Sequence, residues 1–165
     1  MTNTPLHPSD SPGFLLWRTT LRWQRELTGA LVPLALTHVQ FVLLACTWWL
    51  NRQGEQPTQK ALAEQAGTDV KMTSQVVRAL ERKGLLEREV DEADTRARRL
   101  RVTPKGARLA PRAIAAVERA DAEFFSAVPT ADALSLLRRL AGPFDRRANT
   151  TATAGGKASR KKRSH

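Results

Sequence analysis

The sequence predicts a mainly α-helical chain with one small β-ribbon. Three observations predict it. Apolar residues recur at three- and four-residue steps over long stretches, two glycines each stand just past a helical run, and a single pair of five-residue runs alternates apolar with polar. With 165 residues, 41% of them hydrophobic, one main domain with its own core is expected.

The first helix is expected from about Gly13 to Leu31, where Phe14, Trp17, Leu21, Leu27 and Leu31 follow helical spacing and Pro33 stops the run. Thr37 is the N-cap of a second helix reaching about Arg52. Val39, Val42, Leu43, Cys46, Trp49 and Leu50 make that helix apolar nearly all round, which places it at the centre of the core. The stretch from Pro33 to Leu50 carries no formal charge, but a membrane span needs about 20 mostly apolar residues. This one opens with proline and contains Thr37, His38, Gln40 and Thr47, so it reads as a buried helix, and no membrane partner is expected.

After Asn51-Arg52-Gln53-Gly54, Thr58 caps a short helix with Ala61, Leu62 and Ala66 on one side, and Gly67 ends it. Thr68 or Asp69 then caps a longer helix that reaches Lys83, with Gly84 just past its end. A short helix, a glycine turn and a longer helix are the parts of a helix-turn-helix. The runs 86–90 and 98–102 alternate apolar and polar, and with the charged segment 91–97 between them they form a two-stranded ribbon with a protruding loop, a wing. Thr103-Pro104 opens a long helix to about Ala127 through Leu109, Ala113, Val117, Ala120 and Phe124. Pro129-Thr130 restarts a final helix with Leu134, Leu137 and Leu140 on one face. The expected organisation is a disordered N-terminus over 1–12, a winged helix-turn-helix domain over 13–145 and a basic disordered tail over 146–165. Within the domain the helix-turn-helix covers about 58–83 and the wing about 85–103.

Lys and Arg number 27 against 16 Asp and Glu, a net charge of +11 that points to an anionic partner. Seven of these cations lie beyond Asp145, where there is no acid, and without them the charge falls to +4. Nucleic-acid binding therefore has to be argued from where the charges sit. On the longer helix of the motif, Thr73, Val76, Val77 and Leu80 share an anchoring face. Lys71, Gln75, Arg78 and Arg82 come out opposite, flanked by Met72 and Ser74. A helix of this size fits the major groove, where Lys and Arg reach guanine or phosphate and Gln75 pairs with adenine. The wing concentrates Arg96, Arg98, Arg99 and Arg101, which suits a narrow minor groove, and Asp94 is placed to hold the Arg96 guanidinium. With the cap positions Thr58, Thr68 and Asp69, the candidate DNA-binding set is Thr58, Thr68, Asp69, Lys71, Met72, Ser74, Gln75, Arg78, Asp94, Arg96, Arg98 and Arg99. The alternative, a solvated helix face beside a hairpin of weak ion pairs, is outweighed by the glycine turn before the helix and the ribbon after it.

Catalysis is the weaker class, because His7, His38 and His165 form no cluster and nothing pairs a nucleophile with a base. Cys46 is the single cysteine, so it closes no disulfide and offers no metal spacing, and no cofactor is expected. In its apolar helix it reads as a buried inert thiol rather than a sensor. A reducing, cytoplasmic setting follows, and the first twelve residues lack the basic start and apolar run of a secretory signal. Of Trp17, Trp23, Trp48 and Trp49, at least two are expected to pack the core rather than line an effector cavity. The competing function is non-specific nucleic-acid compaction, which the run Arg160-Lys161-Lys162-Arg163 suits through counterion release. That reading leaves the wing unexplained.

Residues 62–67, 73–88 and 94–106 resemble, in order and spacing, the DNA-binding core of the MarR family of bacterial regulators, and the flanking helices extend the similarity over roughly 13–144. The resemblance implies a triangular homodimer that presents two winged motifs to a pseudopalindromic operator. Its helices at about 13–31 and 104–145 would pair across the two-fold. It also implies a repressor of transcription relieved by a small anionic aromatic effector, although no charge in the second helix marks the effector site. The amphipathic terminal helices independently carry more apolar surface than a monomer of this size needs. Phe14, Trp17, Leu21, Leu27, Leu134 and Leu137 are the candidate dimerisation residues.

Overall fold

The computed structural model describes residues 6–91 and 98–142. Six helices and one ribbon follow in order: α1 (Pro12–Leu31), α2 (His38–Arg52), α3 (Gln59–Ala66), α4 (Val70–Arg82), β1 (Leu86–Val90), β2 (Arg98–Val102), α5 (Pro104–Phe124) and α6 (Thr130–Ala141). Short 3-10 turns occupy Pro8–Asp10 and Val32–Leu34. The long helix expected to reach Ala127 ends at Phe124.

Helix starts follow the capping chemistry of the sequence. Thr37 Oγ1 accepts from the Gln40 N–H, and Gln40 Oε1 accepts from the Thr37 N–H, both at 3.3 Å, a reciprocal capping box. Thr58, Asp69 and Thr103 cap α3, α4 and α5 more simply, each side chain accepting from one N–H of the first turn. At the other end, Gly67 (φ +67°) and Gly84 (φ +66°) take the left-handed conformation that closes α3 and α4. The next residue of each turn bonds back to the helix, Thr68 N–H to Ala63 O at 3.0 Å and Leu85 N–H to Leu80 O at 2.9 Å.

One core unites the elements around α2, which packs on α1, α3, α4, α5 and β2. Leu27 and Leu31 of α1 meet Leu43 and Leu44 of α2, Leu62 of α3, Val77 and Leu80 of α4, Leu100 of β2 and Ala113 of α5. Two expectations change here. The second helix is central as expected but is not covered all round: Trp49 is exposed, while the small polar Thr47 is buried and donates to the Leu43 carbonyl at 2.8 Å. Leu27, expected at a dimer interface, is 1% exposed within its own chain, because it lies on the side of α1 that faces α2 and α5, and it is withdrawn from the interface set.

The strands pair antiparallel in the register Leu86↔Val102 to Val90↔Arg98. Leu86 and Leu100 point into the core. The Asn51 side chain, at the end of α2, fastens the ribbon: Oδ1 accepts from the Val102 N–H at 2.8 Å, and Nδ2 donates to Glu55 O and Leu100 O. The start of α5 comes so close to the turn after α4 that a Cβ at Gly106 would lie 2.1 Å from the Leu85 carbonyl oxygen. Only glycine permits that approach. α6 has no buried residue, and Leu134, Leu137 and Leu140 are exposed along it. No single helix among the described residues is long and apolar enough to cross a membrane.

Candidate nucleic-acid interface

α4 is anchored by one face and open on the other. Thr73, Val77 and Leu80 are buried, whereas Lys71, Met72, Gln75, Arg78 and Arg82 are exposed and Ser74 is half-buried. This separation follows from the helical period and leaves a surface of hydrogen-bond donors on a 13-residue helix. The first turn is held by its own side chains: Asp69 Oδ1 accepts from the Met72 N–H at 2.8 Å, and Thr73 Oγ1 donates to Asp69 O at 2.8 Å. The Thr73 hydroxyl proton being used there, Thr68 Oγ1 donates to Thr73 Oγ1 at 2.7 Å. Thr58, Thr68 and Asp69 therefore have local positioning bonds, Thr58 accepting from the Ala61 N–H at 3.2 Å. Exposed Val70, at the first position of the helix, escaped the sequence reading because it lies off the polar stripe.

The far end of α4 is tied to the rest of the molecule. Lys83 Nζ donates to Ala35 O at 2.6 Å and to Gln40 Oε1 at 2.7 Å. Lys105 Nζ donates to Lys83 O at 2.8 Å, and Thr103 Oγ1 donates to Gly84 O at 2.6 Å. Arg88 of β1 grips Glu81 of α4 through Nε at 2.8 Å and Nη2 at 2.6 Å, and this bond raises the guanidinium pKa further above its ordinary value.

In the ribbon, Arg99 Nε donates to Asp91 Oδ2 at 2.6 Å, and its Nη1 donates to the Gln56 carbonyl at 3.1 Å. Thr58 and Arg99 form an isolated β-bridge, and the Leu100 N–H bonds to Pro57 O, so the segment before α3 acts as a short third edge of the ribbon. Arg101 lies against Glu87 and Glu89 at 3.1 and 3.4 Å. Arg98 is exposed at the start of β2, while Asp94 and Arg96 lie outside the described residues, as does the basic tail.

Away from this face, a groove of about 980 Å³ opens between α1, α5 and the start of α6, lined among others by Leu16, Trp23, Asp121, Phe125 and Leu134. Trp23 Nε1 donates to Asp121 Oδ1 at 2.7 Å, and the indole meets the His38 ring edge-on at 5.0 Å. Burial lowers the His38 pKa, with Asp121 opposing, and burial raises that of Cys46. Among the described residues no three His, Cys, Asp or Glu side chains gather as a metal site.

The profile of the MarR family matches residues 36–97, from the end of the α1–α2 turn into the wing. The uncharacterized HTH-type transcriptional regulator YdcH of Bacillus subtilis (strain 168) is 45% identical over 120 residues, covering 73% of this chain and 82% of YdcH. CouR from Rhodococcus jostii RHA1, solved bound to p-coumaroyl-CoA, superposes with a TM-score of 0.71 at 27% identity, over 82% of this chain and 93% of that one. A transcriptional repressor CouR bound to a 23-mer DNA duplex superposes with a TM-score of 0.72 at 25% identity, over 84% and 97%. The outward donor face of α4, the ribbon beside it and these likenesses agree: the chain belongs to the MarR family of DNA-binding, winged helix-turn-helix transcriptional regulators.

Proposed function

We propose that the chain is a cytoplasmic, sequence-specific repressor that binds a pseudopalindromic operator as a homodimer and leaves it when a small molecule binds. The observation that carries this reading is the donor face of α4, Lys71, Gln75, Arg78 and Arg82, exposed on a helix whose other face is locked in the core. Met72, Ser74, Gln75 and Arg78 contact base edges, Lys71 contacts base or phosphate, and Arg96 and Arg98 of the wing enter the adjacent minor groove. Arg99, Thr58, Thr68 and Asp69 hold these elements in place through the bonds described above. That CouR, a structural relative, was solved bound to a 23-mer DNA duplex supports DNA binding by this fold.

Dimerisation is supported by α6, which buries nothing within the chain, and by exposed Phe14, Trp17, Leu134 and Leu137 on helices that flank one groove, with Leu21 half-buried. Two recognition helices have to enter major grooves about 34–36 Å apart, and a rigid two-fold assembly provides that spacing. The groove beside Trp23, with mostly apolar walls, is the candidate effector site, and the p-coumaroyl-CoA bound to a structural relative supports an aromatic, anionic ligand class. The competing reading, non-specific compaction through the basic tail, predicts equal binding of all duplexes. Selecting DNA from a random pool with the full chain separates the two: recovery of a pseudopalindrome supports the dimeric repressor, and equal affinity for selected and random duplexes at physiological salt overturns it.

A further inference from the structure

Val70 opens the recognition helix with an apolar side chain that is 54% exposed. Helix formation does not account for it, since a β-branched residue loses rotamer freedom in a helix and offers no cap. Packing does not account for it either, because Thr73, Val77 and Leu80 carry the anchoring face and the staple positions on either side of the cap are taken by the Thr68 and Thr73 hydroxyls. Those hydroxyl bonds, with the Asp69 cap, hold the first turn rigid, so the valine is presented in a fixed direction. Val70 stands about 40° round the helix from Ser74 and about 80° from Arg78, at the edge of the exposed face of α4. Met72 stands about 200° round the helix on the other flank.

In helix-turn-helix proteins the first residues of the recognition helix meet base edges, and the major groove exposes one apolar group, the 5-methyl of thymine. We propose that Val70 is a specificity-determining residue that reads a thymine methyl in each half-site, beside the contact of Ser74. The proposal rests on the sequence-specific reading above and adds the base and the chemical group. The stiff, branched side chain suits the task, because it has little rotamer freedom left to lose when it packs on the methyl.

The test uses the full chain and the duplex it selects from a random pool. Each thymine is replaced in turn by deoxyuridine, which removes only the methyl, and affinity is measured for the unaltered chain, Val70→Ala and Met72→Ala. One symmetric pair of thymines is expected to show a loss of about fourfold per methyl with the unaltered chain, the scale of burying one such group. With Val70→Ala that loss vanishes, while Met72→Ala keeps it. Because the side chain is exposed, thermal unfolding of Val70→Ala should match the unaltered chain, which confirms that the comparison is between folded proteins. If selection enriches no sequence, the specific-binding reading and this proposal both fall. An enriched site that is indifferent to deoxyuridine, or a penalty that persists in Val70→Ala, overturns the methyl contact alone.

Discussion

The ammonium of Lys83 donates to the Ala35 carbonyl at 2.6 Å and to the capping Gln40 at 2.7 Å, so the end of the recognition helix grips the turn between α1 and α2. Ala35 is the non-glycine residue with positive φ among the described residues, at +53°, and the bond helps to hold that turn. Lys83→Met keeps the aliphatic stem and removes both bonds. A loss of about 1–2 kcal/mol in urea denaturation is expected, the range for partly exposed bonds to a charged group. Operator affinity should fall as α4 loosens, with an unchanged salt slope, because no phosphate contact is removed. A smaller slope would identify Lys83 as a direct DNA contact.

Arg78 on the helix face and Arg99 in the wing both belong to the candidate DNA-binding set, yet their surroundings differ. Arg78 is exposed on α4, whereas Arg99 is bonded to Asp91 and to the Gln56 carbonyl. Arg78→Gln should cost about 1–3 kcal/mol of specific binding and leave the melting temperature unchanged. Arg99→Gln leaves the Asp91 carboxylate without this partner and should lower stability by about 1–3 kcal/mol as well as affinity. Paired melting and titration experiments on both variants check the division. Equal melting temperatures would return Arg99 to the direct contacts.

Leu27 and Leu137 should likewise separate. Leu27→Ala removes a fully packed side chain and is expected to cost about 2–5 kcal/mol of stability. Leu137→Glu places a charge on an exposed helix face and should leave the single-chain core intact while shifting sedimentation to the monomer. Deleting α1 outright would mix the two effects, since Leu27 and Leu31 would leave the core with it. A Leu137→Glu protein that sediments as a dimer would locate the interface elsewhere.

His38 should make stability depend on pH. Burial against Trp23 lowers its pKa below the ordinary 6.5, and the Asp121 charge partly offsets this. The unfolded chain therefore binds the proton more readily than the folded one, so this contribution is fully present above pH 6.5 and is lost as pH falls through that value toward the folded pKa. His38→Gln should flatten the acid side of a stability–pH curve measured by denaturation. Removing the offsetting charge with Asp121→Asn should lower the folded pKa further and steepen the loss. A shallower curve for Asp121→Asn would contradict the sign.

The helix starts, the glycine ends and both strands were legible because each depends on chemistry within a few residues. Thr37 and Gln40 satisfy each other across one turn, Gly67 and Gly84 supply positive φ on their own, and alternation along 86–90 and 98–102 is a property of each strand separately. The donor face of α4 was legible for the same reason, as a consequence of helical period. The Asn51 bond to Val102 of the ribbon, the Lys83 grip on Ala35 and the 2.1 Å approach that demands Gly106 join residues 21 to 51 positions apart and leave no local pattern. Periodicity also marks an apolar face without saying what covers it. Helical spacing alone puts such faces on α1 and α6; that Leu27 is used up inside the chain while Leu134 and Leu137 stay open emerges with the fold, because burial depends on how distant helices pack together.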